Sequence, residues 1–346
     1  MRTVLVEISG ESPALARAEV ESAAEAMGGR PTSAPSALDP TLVRVELPEE
    51  RSGRELAVRL GLARRCLEVR SDPGTVETAM AVAARDGGSV AVRRLGQPSS
   101  GGEDAGVLAA GRAFRSAGGR IDLGRPDRRF WLVGSGSAGD VLLEEVGATD
   151  RPATTGRRMP TLPFQRPVSL PPRLARAAAN LARVRPGDRV LDPFLGTGAL
   201  LAEAGLLGAR LYGIDRDPQM VRGALRNLAH LGVTADELVV GDAGRVGFSS
   251  EGAPFDAILT DPPYGRASST GGEAADAVAE RVLSRWAGRV RPGGRVVVVT
   301  PGPAYSPGSE WRAVLDVPVR VHRSLTREFR VYERGPATTT RVGTSC

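Results

Sequence analysis

No lysine occurs among the 346 residues, only two cysteines and two histidines do, and no apolar run approaches a membrane span. Each absence excludes a class of protein. Cys66 and Cys346 cannot build a disulfide framework or a metal cluster, and with His230 and His322 as the only imidazoles no zinc chemistry, and no metal, is expected. Met1-Arg2 leads straight into a strand pattern rather than a signal peptide, so a cytoplasmic protein with no membrane partner is expected. What the chain has in excess is arginine. It supplies all 46 basic residues against 40 acidic ones, for a net charge of +6 and a pI near 10.2. A GC-rich coding sequence explains arginine in place of lysine. It does not explain the surplus positive charge, which fits a nucleic acid, whose phosphates guanidinium forks grip. With 41% hydrophobic residues at this length, two or three domains with real cores are expected.

The stretch LDPFLGTGALLAEAGLLGARLYGID, Leu191 to Asp215, organises the chain. Arg189-Val190-Leu191 is a short apolar strand that stops at Asp192-Pro193. Gly196 and Gly198 flank Thr197 where a helix from Ala199 to Leu207 begins, and Leu211 to Ile214 is the next strand. Asp215 thus stands at a strand's carboxyl end beside a glycine loop, where a carboxylate can accept both hydroxyls of a ribose. NAD is the first alternative, but its fingerprint needs a third glycine where Leu201 stands. The run D-P-F-L-G-T-G instead resembles the S-adenosylmethionine loop of class I methyltransferases, which implies S-adenosylmethionine as cofactor. Further along, Glu237 to Gly241 is a strand ending at Asp242-Ala243. There Asp242 could accept from an adenine amine and the Ala243 N–H could reach the ring. The cofactor-binding residues expected are therefore Asp192, Phe194, Gly196, Thr197, Gly198, Asp215, Asp242 and Ala243.

A second segment carries the chemistry. FDAILT, Phe255 to Thr260, reads as a buried strand ending in Asp261-Pro262-Pro263-Tyr264-Gly265. The prolines stiffen the turn and present carbonyls with no N–H of their own. An exocyclic amine on a nucleobase is a poor nucleophile, because its lone pair is delocalised into the ring. A site that methylates it should hold both amine hydrogens with acceptors, for which Asp261 and the Pro262 carbonyl are suited, and should stabilise the charge that develops on nitrogen. Tyr264 is expected to stack on the base. Asp261, Pro262 and Tyr264 are the expected catalytic residues.

The first seventy residues read as β-α-β-α-β, with strands Thr3 to Ile8, Leu42 to Leu47 and Arg65 to Val69. Between them lie a helix to Met27 capped by Ser12 with Pro13 in its first turn, and a helix from Gly53 to Leu60. This order suggests a ferredoxin-like module. From about Pro73 to Val146 a second unit follows, with the run V-A-V-R-R and then A-A-G-R-A-F-R-S-A-G-G-R-I-D-L-G-R-P-D-R-R-F-W-L-V. That pattern resembles the THUMP domain, an RNA-binding module of tRNA-modifying enzymes. The resemblance places Arg93, Arg94, Arg112, Arg115 and Arg120 near RNA phosphates. Gly147 to Pro163, rich in Pro, Thr and Gly, reads as a linker.

Two more segments extend the likeness. P-F-Q-R-P-V-S-L-P-P-R-L-A-R-A-A-A-N-L, from Pro163, and H-R-S-L-T-R, His322 to Arg327, are similar to segments of the tRNA guanosine-10 N2-methyltransferases. In those enzymes the first closes over the cofactor's methionine end and the second closes the catalytic domain near the active site. The resemblance implies methylation of the N2 amine of a tRNA guanosine, most of all guanosine 10. Another tRNA position, an rRNA, or an amine on DNA are the alternatives. The expected fold class is α/β, a C-terminal Rossmann-like doubly wound methyltransferase sheet over 164–346. An N-terminal ferredoxin-like region (1–70), a THUMP region (71–147) and a linker (148–163) precede it. tRNA is the expected partner of a monomer, with or without an accessory subunit.

Overall fold

The computed structural model describes residues 1–32, 38–96, 104–134, 139–149, 162–166, 169–249, 252–263, 274–301, 305, 307–322 and 325–336. Contacts divide the chain into two units, Met1–Asp150 and Arg151–Cys346. Among the described residues no helix is long and apolar enough to cross a membrane.

In the first unit, strands of alternating polarity bury one face against helices. The elements are β1 (Arg2–Ile8), α1 (Pro13–Ala26), β2 (Arg30–Pro31), β3 (Leu42–Leu47), α2 (Gly53–Arg59), β4 (Ala63–Val69), α3 (Val76–Ala84), β5 (Ser89–Arg94), α4 (Ala105–Ser116), β6 (Arg120–Ile121), β7 (Arg128–Gly134) and β8 (Asp140–Ala148). They build one eight-stranded sheet in the order β2-β3-β1-β4-β8-β7-β5-β6. The segments that the sequence divides near residue 70 therefore share a sheet, because β4 pairs antiparallel with β8, Leu67 opposite Glu145. The two-residue β2 is too short to leave a periodic signal. Pro13 opens α1 as expected, but Ser12 makes no side-chain cap.

The second unit alternates helices and strands: α5 (Pro172–Leu181), β9 (Arg189–Asp192), α6 (Ala199–Gly205), β10 (Arg210–Asp215), α7 (Pro218–His230), β11 (Glu237–Val240), β12 (Phe255–Thr260), α8 (Ala275–Ala287), β13 (Val290–Thr300), β14 (Trp311–His322) and β15 (Leu325–Arg334). The sheet order is β11-β10-β9-β12-β13-β15-β14. β11 through β13 are parallel, and β15 lies antiparallel between β13 and β14. Within β13, residues 291–294 stand outside the ladder with β12, whose register passes from Val290 opposite Phe255 to Arg295 opposite Ala257. The strand order reverses between β9 and β12, and in such sheets the crevice beyond the carboxyl ends at that point is where ligands bind.

Four aromatic rings, Tyr212, Phe248, Phe255 and Trp286, fill the core on one side of this sheet in edge-to-face contacts of 5.4–6.0 Å. The Trp286 indole N–H donates to the Ala243 carbonyl at 2.8 Å, so the core itself fixes the turn after β11. A buried ion pair, Arg176 Nε to Glu203 at 2.7 Å, ties α5 to α6.

Candidate active site

The loop between β9 and α6 is shaped by backbone that favours glycine. Gly196 and Gly198 have φ of +52° and +78°, the left-handed region costly to side chains with a Cβ. A Cβ on Gly198 would also stand 3.0 Å from that of Ala224 in α7. Asp215, at the end of β10, holds this loop: its Oδ2 accepts the Gly196 N–H at 2.8 Å and its Oδ1 accepts the Asp217 N–H at 2.9 Å. Burial raises the Asp215 carboxyl, and these N–H donors oppose the rise. A carboxylate has about four lone-pair sites, so acceptor capacity remains.

Across the switch point, Asp192 is fully buried. Its Oδ1 accepts the Phe194 N–H and the Thr260 hydroxyl, both at 3.0 Å, which joins the end of β9 to the end of β12. Burial pushes the Asp192 carboxyl up to about 7, with Asp261 and Asp215 adding repulsion. The folded chain thus binds a proton here that the unfolded chain, with the ordinary value of 3.8, releases. The contribution of Asp192 to stability is fully present below about pH 4 and is lost as the pH rises through 7. Asp192→Asn keeps an acceptor for Phe194 and Thr260 and cannot ionise. At pH 8 it should be more stable than the native chain by roughly 1–4 kcal/mol, at about 1.4 kcal/mol per pKa unit. The gap should close towards pH 4 in denaturant unfolding. A gap that does not vary with pH would assign the titration elsewhere.

Asp261 follows β12 directly. Arg327 in β15 is 1% exposed, and its Nη1 donates to Asp261 Oδ2. The other oxygen, Oδ1, is shielded from solvent and has no hydrogen-bond partner among the described residues. Burial pushes the Asp261 carboxyl up to about 6, against the pull of Arg327. Asp192, Phe194, Gly196, Thr197, Asp261 and Pro262 come together around a cavity of about 250 Å3, with Arg166, Ser169 and Leu170 also on its wall.

The chain before α5 is fastened to this loop by a residue to which the sequence gave no signal. Asn227, buried in α7, accepts the Phe164 N–H at 2.9 Å, and its amide donates to the carbonyls of Phe164 at 2.9 Å and Thr197 at 3.0 Å. The Phe164 ring lies so close over α7 that a Cβ on Gly223 would meet it at 2.1 Å. Asn227→Ala strands these backbone groups at about 1–3 kcal/mol each. Thermal unfolding should show the second unit destabilised by that order. A loss within experimental error would mean that water replaces the clamp.

Other expected residues lie elsewhere. Asp242 and Ala243 follow β11 and are not on that cavity wall. Asp242 accepts the Gly244 N–H at 2.8 Å and has Arg216, Arg245 and Arg281 at 3.8–3.9 Å. Tyr264 lies outside the described residues. In the first unit Arg93, Arg112, Arg115 and Arg120 are exposed. Arg94 is not available in the same way: it is clamped by Asp104, the N-cap of α4, and by Asp140 of β8, which raise its pKa further. Arg327, Thr260 and Ser169 join this neighbourhood without a role expected from the sequence, although Arg327 ends the H-R-S-L-T-R run and Ser169 lies in the segment from Pro163.

Residues 161–305 match the family described as RMKL-like, methyltransferase domain. A tRNA (guanine(10)-N2)-dimethyltransferase of Methanothermobacter thermautotrophicus is 41% identical over 175 residues, 50% of this chain and 51% of that protein. A Methanothermococcus thermolithotrophicus protein named "Probable tRNA (guanine(10)-N2)-dimethyltransferase" is 31% identical over 173 residues, 47% of this chain and 98% of that one. The alignments span about half the length of the longer curated relatives. The crystal structure of TrmN from Thermus thermophilus superposes with a TM-score of 0.52 at 24% identity, covering 96% of this chain and all of that one, a likeness of fold.

Proposed function

We propose that this chain, which belongs to the methyltransferase family of a relative named "Probable tRNA (guanine(10)-N2)-dimethyltransferase" that it matches over 98% of that protein's length, methylates the N2 amine of a guanosine in tRNA, at position 10, with S-adenosylmethionine as donor. The observation that carries this reading is the acceptor-only group at the switch point: an Asp261 carboxylate with one oxygen unpartnered among the described residues, followed by two prolines. Guanine offers N1–H and N2–H donors to such a group, whereas adenine would present its N1 lone pair to a carboxylate.

The residues present fit the cofactor. The glycine loop lets backbone approach closely, Asp215 keeps acceptor capacity for a ribose diol, and Asp242 and the Ala243 N–H suit an adenine ring. S-adenosylmethionine bound there would supply a methyl group on a sulfonium centre. Asp261 and the Pro262 carbonyl accept the amine hydrogens, which directs the nitrogen lone pair. As the N–C bond forms and the S–C bond breaks, positive charge grows on nitrogen and the Asp261 carboxylate offsets it. With a carboxyl near 6, the same group can then take the proton that the methylated nitrogen sheds. Tyr264 completes the proposal as a stacking platform for the base.

For the first unit the proposal is a ferredoxin-like and THUMP-type RNA-binding region. Arg93, Arg112, Arg115 and Arg120 are its phosphate contacts, and Arg94 is withdrawn because two carboxylates already occupy it. Mass spectrometry of nucleosides from unmodified tRNA, incubated with the protein and S-adenosylmethionine, tests the reading. N2-methylguanosine or its dimethyl form, mapped to position 10, is expected. Methylation of adenosine or cytidine, of duplex DNA in preference to tRNA, or of nothing would overturn it.

A further inference from the structure

We propose that Arg327 is a positioning residue for Asp261: it clamps one carboxylate oxygen from the protein side, which fixes the rotation of the group and leaves the second oxygen for a donor that arrives with the base. The proposal rests on the role given to Asp261 above. Its basis is the sheet. β15 is inserted between β13 and β14, and Arg327 lies opposite Val319 near the end of that hairpin, 1% exposed and turned to the carboxyl end of β12. A guanidinium this deeply buried persists only where opposite charge meets it, and Asp261 meets it here.

The charges around Asp261 are unequal. From β9, the Asp192 carboxyl faces the same acidic group, itself raised to about 7 by burial and, less, by Asp261 and Asp215. From β15, Arg327 attracts it, and Arg166 stands on the cavity wall. Burial is the largest influence and pushes the carboxyl up to about 6, while Arg327 is what holds it down. Without that cation nothing named here would oppose the rise, and the carboxyl would hold its proton to higher pH. One of its oxygens would then become a donor facing the donors of guanine, and the negative charge that offsets the developing ammonium would be gone.

The test is a single-turnover pH profile of methyl transfer from S-adenosylmethionine to an unmodified tRNA transcript, between pH 5.5 and 9. It compares the full-length native chain, Arg327→Met and Arg327→Lys, with cofactor affinity measured by calorimetry. For Arg327→Met the acid limb should move up by about one to three pH units, the usual effect of one adjacent opposite charge. Its rate should recover at high pH while cofactor affinity stays nearly unchanged. Arg327→Lys restores a charge without the fork, so its acid limb should return towards the native position with a lower plateau. Superimposable profiles, or an equal loss at every pH, would overturn the proposal. If Arg327→Met does not bind cofactor, the lysine variant decides: a limb near the native one with a reduced plateau supports the role, and an unaltered plateau overturns it. A native chain that methylates no guanosine would instead sink the functional reading, a result visible before any variant is made.

Discussion

Asp261→Ala should cut turnover by about 100-fold or more while leaving cofactor binding nearly intact, the scale found when one group that stabilises transition-state charge is removed. The two effects separate because Asp261 stands at the end of β12 against Arg327, away from the bonds by which Asp215 holds the glycine loop. Alanine also leaves the buried Arg327 without this carboxylate, so part of the second unit's stability should go with the activity. Asp261→Asn is the sharper companion. It keeps an oxygen for one hydrogen but cannot carry the charge, and its rate should lie much closer to that of alanine than to the native rate. Single-turnover methyl transfer at saturating cofactor measures both. A near-native rate in either variant would remove the charge of Asp261 from the mechanism.

The second large effect should be on the cofactor. If Asp215 holds the ribose as proposed, Asp215→Ala loses two contacts between an ionised acceptor and ribose hydroxyls, on the order of 1.5–3 kcal/mol each. The dissociation constant for S-adenosylmethionine should therefore rise by roughly two to four powers of ten, at 1.4 kcal/mol per decade. The structure adds a second reason for the loss, because the same carboxylate accepts the N–H groups of Gly196 and Asp217 and so shapes the loop itself. Asp215→Asn retains one acceptor oxygen and should fall between. Calorimetry on the free protein reads the change directly, and an unchanged affinity would rule out the ribose contact.

Local grammar made much of the second unit legible. D-P-F-L-G-T-G, G-I-D and F-D-A-I-L-T-D-P-P each place a turn or an acidic residue at the end of an apolar strand. Such ends are fixed by neighbours in the chain: a glycine that tolerates positive φ at 196 and 198, a proline that cannot continue a ladder at 193 and 262. The strands β9, β10 and β12 and the helix α6 therefore appear close to where the pattern puts them. Inside β13 the same grammar shows as a break in the ladder: Pro292-Gly293, with Gly293 at φ +75°, lies between Val290 and Arg295, the residues that pair with β12.

Short-range sterics and hydrophobic period act over a few residues, so the strand ends that carry Asp192, Asp215 and Asp261 are legible from local sequence alone. Which distant side chains meet them follows from the folded arrangement instead. Thr260 reaches Asp192 across 68 residues, Asn227 reaches Phe164 across 63, and Arg327 reaches Asp261 across 66. Arg94 likewise is taken by Asp140, 46 residues on. An arginine in a strand reads as a solvated side chain until the order and register of the sheet bury it. Those depend on the whole set of pairings, and the insertion of β15 beside β13 is what places Arg327 against the carboxylate.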